Sequence, residues 1–154
     1  MAKRTSRPAA RASAGVSAHA TVTTPAPLAP GAPCPCGLPA AYGECCGALH
    51  AGRSAAPTAE RLMRSRYSAF AVRDAAYLLR TWAPGTRPPA VDFDPRLRWT
   101  GLDILATTDG TAFHTQGTVS FAAHYEIGGE RGVQREDSRF VRVQGSWLYV
   151  DAIS

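Results

Sequence analysis

All four cysteines of the chain lie between positions 34 and 46, as Cys34-Pro35-Cys36-Gly37 followed by Tyr42-Gly43-Glu44-Cys45-Cys46-Gly47. Two close pairs in one loop-rich stretch can converge on a single soft cation. Thiolate sulfur binds Zn²⁺ tetrahedrally, and four such ligands close the coordination sphere with no position left for water. The chemistry implied is structural. Disulfides suit this spacing less well, because adjacent cysteines such as Cys45 and Cys46 are bridged only through a strained link and CxC pairs are awkward. His50, just past the cluster, is a residue type that can replace a cysteine as ligand, although an ordinary loop histidine is the simpler account.

The elements that must position this cluster are few. Residues 1–33 contain no aromatic residue and are dominated by Pro, Ala, Ser and Thr, so they bury too little apolar surface to offset their ordering entropy. They are expected to be a disordered Ala/Pro/Arg-rich tail, with the proline run 25–33 as an extended spacer. Pro57-Thr58 offers a cap, and Met63, Tyr67, Phe70 and Ala71 recur at helical spacing, which predicts a helix from Thr58 to Val72. Asp74 caps a second helix, in which Ala75, Leu78, Leu79 and Trp82 form one stripe before Pro84-Gly85 ends it. Residues 92–98 read as a further helical turn or a lead-in to a strand.

From Trp99 onward the period changes to two. Four strands are predicted over 99–107, 112–127, 132–143 and 146–153, separated by Asp109-Gly110, Gly128-Gly129 and Gln144-Gly145. The whole is an α+β layout, with two helices across one face of a curved, four-stranded antiparallel sheet.

Charge and hydropathy narrow the function classes. The formal charge of +5 suggests a nucleic-acid binder until its position is considered. Lys3, Arg4, Arg7 and Arg11 put +4 in the tail with no acid to balance it, which leaves the remainder at +1. That near-neutral remainder argues against a phosphate-binding surface. No apolar run approaches the roughly 20 residues that cross a bilayer, and no apolar core follows the basic start as a secretory signal requires. A cytoplasmic protein with reduced cysteines is the expectation, and it favours metal over disulfides.

Strand parity sorts the remaining candidates. Val119, Phe121, Ala123 and Tyr125 share one face of the second predicted strand, opposite Ser120, His124 and Glu126. On the last strand Trp147, Tyr149 and Asp151 share a face. If it points inward, Asp151 sits at the rim of an apolar pocket, where desolvation would suit it to general acid or base work. Arg64 and Tyr67, three apart on one helix, can jointly hold a carboxylate or phosphate. Alternatively, the arginines pair with Glu136, Asp137 or Asp151 and lock helix to sheet. No Ser/His/Asp arrangement, glycine-rich phosphate loop or open metal triad is present, so a reaction is the weaker reading.

Beyond these physical arguments, CPCG followed by CCG resembles the SEC-C zinc motif, found at the end of a protein-translocation ATPase and in many small bacterial proteins. Leu62-Met63-Arg64-Ser65-Arg66-Tyr67-Ser68-Ala69-Phe70, Tyr77-Leu78, Thr81-Trp82, Glu136, Ser138-Arg139-Phe140, Trp147, Tyr149 and Asp151 extend the likeness to the YchJ family of bacterial proteins. The resemblance implies a SEC-C-like zinc motif over 34–50, with structural Zn²⁺ on Cys34, Cys36, Cys45 and Cys46. It also implies a nuclear transport factor 2-like domain over 51–154, in which a conical cavity lies between helices and sheet and homodimers are possible. Where the motif has Ser-Gly and basic residues, this chain has Leu38-Pro39-Ala40-Ala41, which weakens a ribosome or RNA contact. The function expected is a zinc-binding adaptor with an unidentified protein partner. Next comes a small-molecule enzyme or ligand sensor using Arg64, Tyr67 and Asp151, and third a ribosome- or RNA-associated factor.

Overall fold

A computed structural model describes residues 27–153. Most of the tail predicted to be disordered lies outside them. Its last residues differ from that expectation: Ala32 and Pro30 carbonyls accept from the Tyr42 and Gly43 amides at 2.7 and 2.9 Å, so the chain is already committed to structure before Cys34. Their backbone groups find partners in the returning cysteine loop, which a free spacer would leave to water.

Two helices form where the sequence predicts them. Helix α1 (Cys46–His50) is a short addition inside the cysteine segment. Helix α2 (Ala59–Val72) starts at Thr58, whose hydroxyl accepts from the Arg61 amide at 3.1 Å, and stops at Arg73, which turns left-handed at φ 63°. Helix α3 (Ala75–Arg80) is capped by the Asp74 carboxylate on the Tyr77 amide at 3.0 Å. It ends before Trp82, which packs with Ala75, Leu78 and Leu79 as predicted but from beyond the helix. The chain there runs extended ahead of Pro84, and Trp82 also bridges Tyr149, with Thr81 and Ala83 exchanging backbone hydrogen bonds with Tyr149 at 2.8 Å. Residues 92–96 form neither helix nor strand.

Strands β1 (Leu97–Asp109), β2 (Gln116–Ile127), β3 (Glu130–Val143) and β4 (Ser146–Ala152) make one antiparallel meander in the order β1-β2-β3-β4. Two connections are tight turns with positive φ at both central residues, 60° and 86° at Gly128-Gly129 and 52° and 83° at Gln144-Gly145. The first connection is longer than Asp109-Gly110 alone suggests, because residues 110–115 all lie outside the strands. Bulges near Thr100 and Leu105 in β1 and at Val150 in β4 bend the strands.

The sheet's inner face and α2 share the main core, built on Val119, Phe121, Phe140, Trp147 and Tyr149 against Leu62, Met63 and Tyr67. A second cluster joins α1 to α3 through Leu49, Tyr77 and Leu78, with Val91 from the following loop. No helix among the described residues is long and apolar enough to cross a membrane.

Helix α2 meets the β1–β2 connection at one tight point. The Ala59 amide donates to the Gly110 carbonyl at 2.9 Å, Gly110 has φ of 76°, and a Cβ on it would fall 2.8 Å from the Ala59 methyl. Gly110→Ala should therefore lower unfolding free energy by about 1–3 kcal/mol in urea titrations, through backbone strain and the clash together. Gly85→Ala, whose Cβ would meet nothing within 4 Å, should stay within roughly 0.5 kcal/mol of the parent.

Candidate metal centre and cavity

The cysteine segment folds as a small clasp. Residues 32–34 run antiparallel to 40–42, with Pro33 bridging Ala41 and the Cys34 amide donating to the Ala40 carbonyl at 3.2 Å. Gly37, at φ 90°, lets the chain turn back, and its amide returns to the Cys34 carbonyl at 3.2 Å. A 3-10 turn over Tyr42–Glu44 then delivers Cys45 and Cys46 to the start of α1.

The result brings four sulfurs within 4.8 Å of one another, each on a cysteine no more than 5% exposed. All four are free thiols. A tetrahedral ion with metal–sulfur bonds of about 2.3 Å requires sulfur–sulfur edges of roughly 3.8 Å. Cys36 and Cys45 already stand 3.7 Å apart, so the donor set fits such an ion after a small contraction. The sulfurs alone cannot all ionise. Hydrogen bonds from Cys36 and Cys46 hold the Cys34 thiol far below the usual range, while the contact with Cys34 pushes Cys36 up to about 11 and contacts with Cys34 and Cys36 push Cys46 higher still. A cation at the centre would resolve that competition for protons.

Helix α2 supplies the surroundings of the cluster. Arg61 reaches the Cys46 sulfur at 3.9 Å, Arg64 donates to the Cys36 carbonyl at 2.9 Å, and Ser68 lies 3.8 Å from the Cys34 sulfur. Burial works against the charge of Arg61, yet Cys46 and its neighbours hold its pKa above the ordinary value. These three residues escaped sequence reasoning as a set. Their spacing of three and four was visible, but nothing local said that a loop of sulfurs would cover that stripe.

His50 is the second tie between cluster and helices. It is not brought into the sulfur cluster: its Nε2 donates to the Ser65 carbonyl at 2.9 Å, which leaves Nδ1 to accept from the Tyr42 hydroxyl at 2.6 Å. Its ring also packs 4.6 Å from that of Tyr77. Burial keeps its pKa below the ordinary value. Arg80 caps the end of α1, donating to the Leu49 and His50 carbonyls at 3.2 and 2.9 Å.

The three residues expected to share a ligand site are separated. Arg64 is turned toward the cluster and pairs with Glu60 at 3.0 Å. Tyr67 does face the sheet, where burial pushes its hydroxyl up to about 12 against a backbone hydrogen bond at Gly101. Asp151 lies on the outer face in a two-pronged pair with Arg139, at 3.0 and 2.8 Å. The bulge explains the failed parity: Phe140 pairs with Tyr149 but Arg139 pairs with Asp151, so the extra residue Val150 turns Asp151 outward. Asp151 is therefore paired across two strands by Arg139 and does not lock α2 to the sheet through a helix arginine. Among the described residues, the cavity between α2 and the sheet is lined instead by Arg66, Tyr67, Gln134, Glu136, Ser138 and Tyr149, together with apolar walls.

Half-buried His50, whose charged form is disfavoured by desolvation, carries a pH signature. The unfolded chain protonates this group near 6.5 while the fold resists until lower pH, so the unfolded state binds more protons and stability falls as pH drops below about 6.5. Urea midpoints between pH 5 and 7.5 should rise with pH, and His50→Gln should show a smaller rise, the remainder coming from the thiols.

Comparison with known proteins covers about four-fifths of the chain. Residues 58–152 match the family model described as YchJ, middle NTF2-like domain. A UPF0225 protein from Streptomyces avermitilis is 62% identical over 120 residues, covering 78% of this chain and 83% of its own length. Another from Streptomyces coelicolor is 59% identical over 122 residues, covering 79% and 95%. The solution structure of a SEC-C motif containing protein from Rhodopseudomonas palustris superposes with a TM-score of 0.69 at 31% identity, over 79% of this chain and 97% of that one. A SEC-C motif containing protein from Psychrobacter arcticus gives 0.65 at 27%, over 78% and 81%. The family model and the identity to its relatives, reached independently of the cysteine geometry, agree that this chain belongs to the YchJ family and carries an NTF2-like domain.

Proposed function

We propose that the chain is a zinc-dependent binding protein, in which Cys34, Cys36, Cys45 and Cys46 hold one structural Zn²⁺ and the clasp around it forms an adaptor surface for a protein partner. The observation that carries this reading is the burial of four converging sulfurs: a closed four-sulfur site leaves no position for substrate, so the ion's work is to hold shape. The SEC-C proteins of similar fold support the same assignment. The exposed turn of the clasp presents Gly37, Pro39 and Ala40, an uncharged and backbone-rich surface suited to a protein rather than to phosphate. Cysteines kept out of disulfides are typical of a reducing compartment, which fits a cytoplasmic protein.

Native mass spectrometry with metal analysis tests the zinc directly. One zinc per chain is expected, lost to a strong chelator, and its absence from freshly purified protein would overturn the reading. Because α2 holds the clasp through Arg61, Arg64 and Ser68, chelation should raise hydrogen exchange over residues 29–50 and at the start of α2, while β2 and β3 stay protected. Arg64→Ala should keep the zinc yet cost about 1–3 kcal/mol of stability, since it removes a charged hydrogen bond to a buried carbonyl.

A further inference from the structure

The sulfur cluster carries a charge that its cysteines cannot balance among themselves. Four thiolates around a dication leave a net charge of two negatives, and all four sulfurs belong to cysteines that are almost wholly buried. Water screens little of it. An uncompensated buried charge is costly, so the balance has to come from side chains packed against the ligands.

Three arginines reach the loop that carries the sulfurs, and their surroundings separate them. Arg53 is exposed and donates to the Gly43 carbonyl at 2.7 Å. Arg64 donates to the Cys36 carbonyl at 2.9 Å, and Glu60 meets its charge at 3.0 Å. Arg61 alone of the three aims its guanidinium at sulfur, with Nη1 3.9 Å from Cys46 Sγ, and among the described residues it pairs with no carboxylate. Its starting point is fixed. The Arg61 amide is the one that donates to the Thr58 cap at 3.1 Å, so the first turn of α2 sets where the side chain leaves the backbone.

Ser68 stands on the same face of α2, two helical turns further on, and is 0% exposed. A mid-helix serine commonly turns its hydroxyl back to a carbonyl of the preceding turn, as Ser65 does to Leu62 at 2.8 Å. Ser68 turns to sulfur instead. Its hydroxyl lies 3.8 Å from Cys34 Sγ and is also in hydrogen-bonding reach of Cys46. Sulfur is a weak acceptor as a thiol, and an ionised acceptor roughly doubles the strength of such a bond, so the buried hydroxyl suits a thiolate.

We propose that Arg61 and Ser68 are the outer partners of a four-thiolate zinc centre: Arg61 donates to the Cys46 sulfur and offsets the charge of the loaded cluster, Ser68 donates to the Cys34 sulfur, and Arg64 holds the loop backbone alone. The inference rests on the zinc reading above. It divides one helix face into two residues that set how tightly the ion is held and one that sets how firmly the clasp is docked.

The test uses the full-length chain under oxygen-free conditions, with Zn²⁺ competed against a colorimetric chelator and Co²⁺ as a spectroscopic probe of the thiolates. Arg61→Gln should bind Zn²⁺ roughly 10–100-fold more weakly, and Arg61→Lys, which keeps the charge, should recover most of that loss. The sulfur-to-cobalt charge-transfer band should move to longer wavelength in Arg61→Gln and in Ser68→Ala, because a thiolate that loses a hydrogen bond gives up electron density more easily. Arg64→Ala should leave the band in place, whatever it does to stability. If Arg61→Gln does not fold, the nearly isosteric Ser68→Ala carries the same comparison. A parent chain that takes up neither metal overturns the zinc reading and this inference with it. A parent that binds both, with affinity and band unchanged in Arg61→Gln and Ser68→Ala, overturns the inference alone, as does a loss of affinity that Arg61→Lys shares in full with no movement of the band.

Discussion

Four sulfurs crowded within 4.8 Å are the constraint on which the first third of the described chain depends. The clasp that carries them has a small core of its own, with only Leu38 and Tyr42 packed against the cysteines. So little apolar area cannot offset the ordering of some twenty residues. The segment needs support from outside itself, which α2 supplies as a wall and which an ion on the four sulfurs would add. Contacts from Arg61, Arg64 and Ser68 on one side of that helix satisfy carbonyl and sulfur acceptors of the clasp, while Leu62, Met63 and Tyr67 enter the main core. One helix thus couples the sulfur cluster to the sheet without a single continuous core running through both.

Polar groups in the interior are also arranged around that helix. Arg66, between the two faces, spans α2 and the end of α3 and stacks over Trp82 and Tyr149. Glu136 enters the same interior from β3, with hydroxyls of Ser138 and Tyr149 on its carboxylate. Burying such charges costs more than an apolar substitute of the same volume. They are held instead by hydrogen bonds to backbone and hydroxyl groups and by the rings of Trp82 and Tyr149.

What was legible in the sequence follows from range. The cysteine cluster could be read because its ligands are close in the chain, and the spacing itself limits what they can bind. Helix α2 was legible from Thr58 and the spacing of Met63 and Tyr67, and the later hairpins from Gly128-Gly129 and Gln144-Gly145, because caps and tight turns are decided by a few adjacent residues. The α+β layout follows from the change of period at Trp99. These are local preferences that agree with the final fold.

What only the tertiary structure decided concerns pairs of elements. Arg64 had an acidic neighbour, a helical neighbour in Tyr67 and several possible partners on the sheet, and packing chose the carbonyl of Cys36, far away in sequence. Asp151 had the correct alternation for an inward residue until a single extra residue, Val150, turned it to Arg139. Period-two reasoning carries no information about a bulge, since the bulge is set by how two bent strands meet. Local sequence therefore determined the clustering of the four cysteines, the helix caps and the hairpins, where the groups involved lie within a few residues. The assignment of Arg66, Gln134 and Glu136 to one cavity required the fold, because only the packing of α2 over the sheet brings those side chains together.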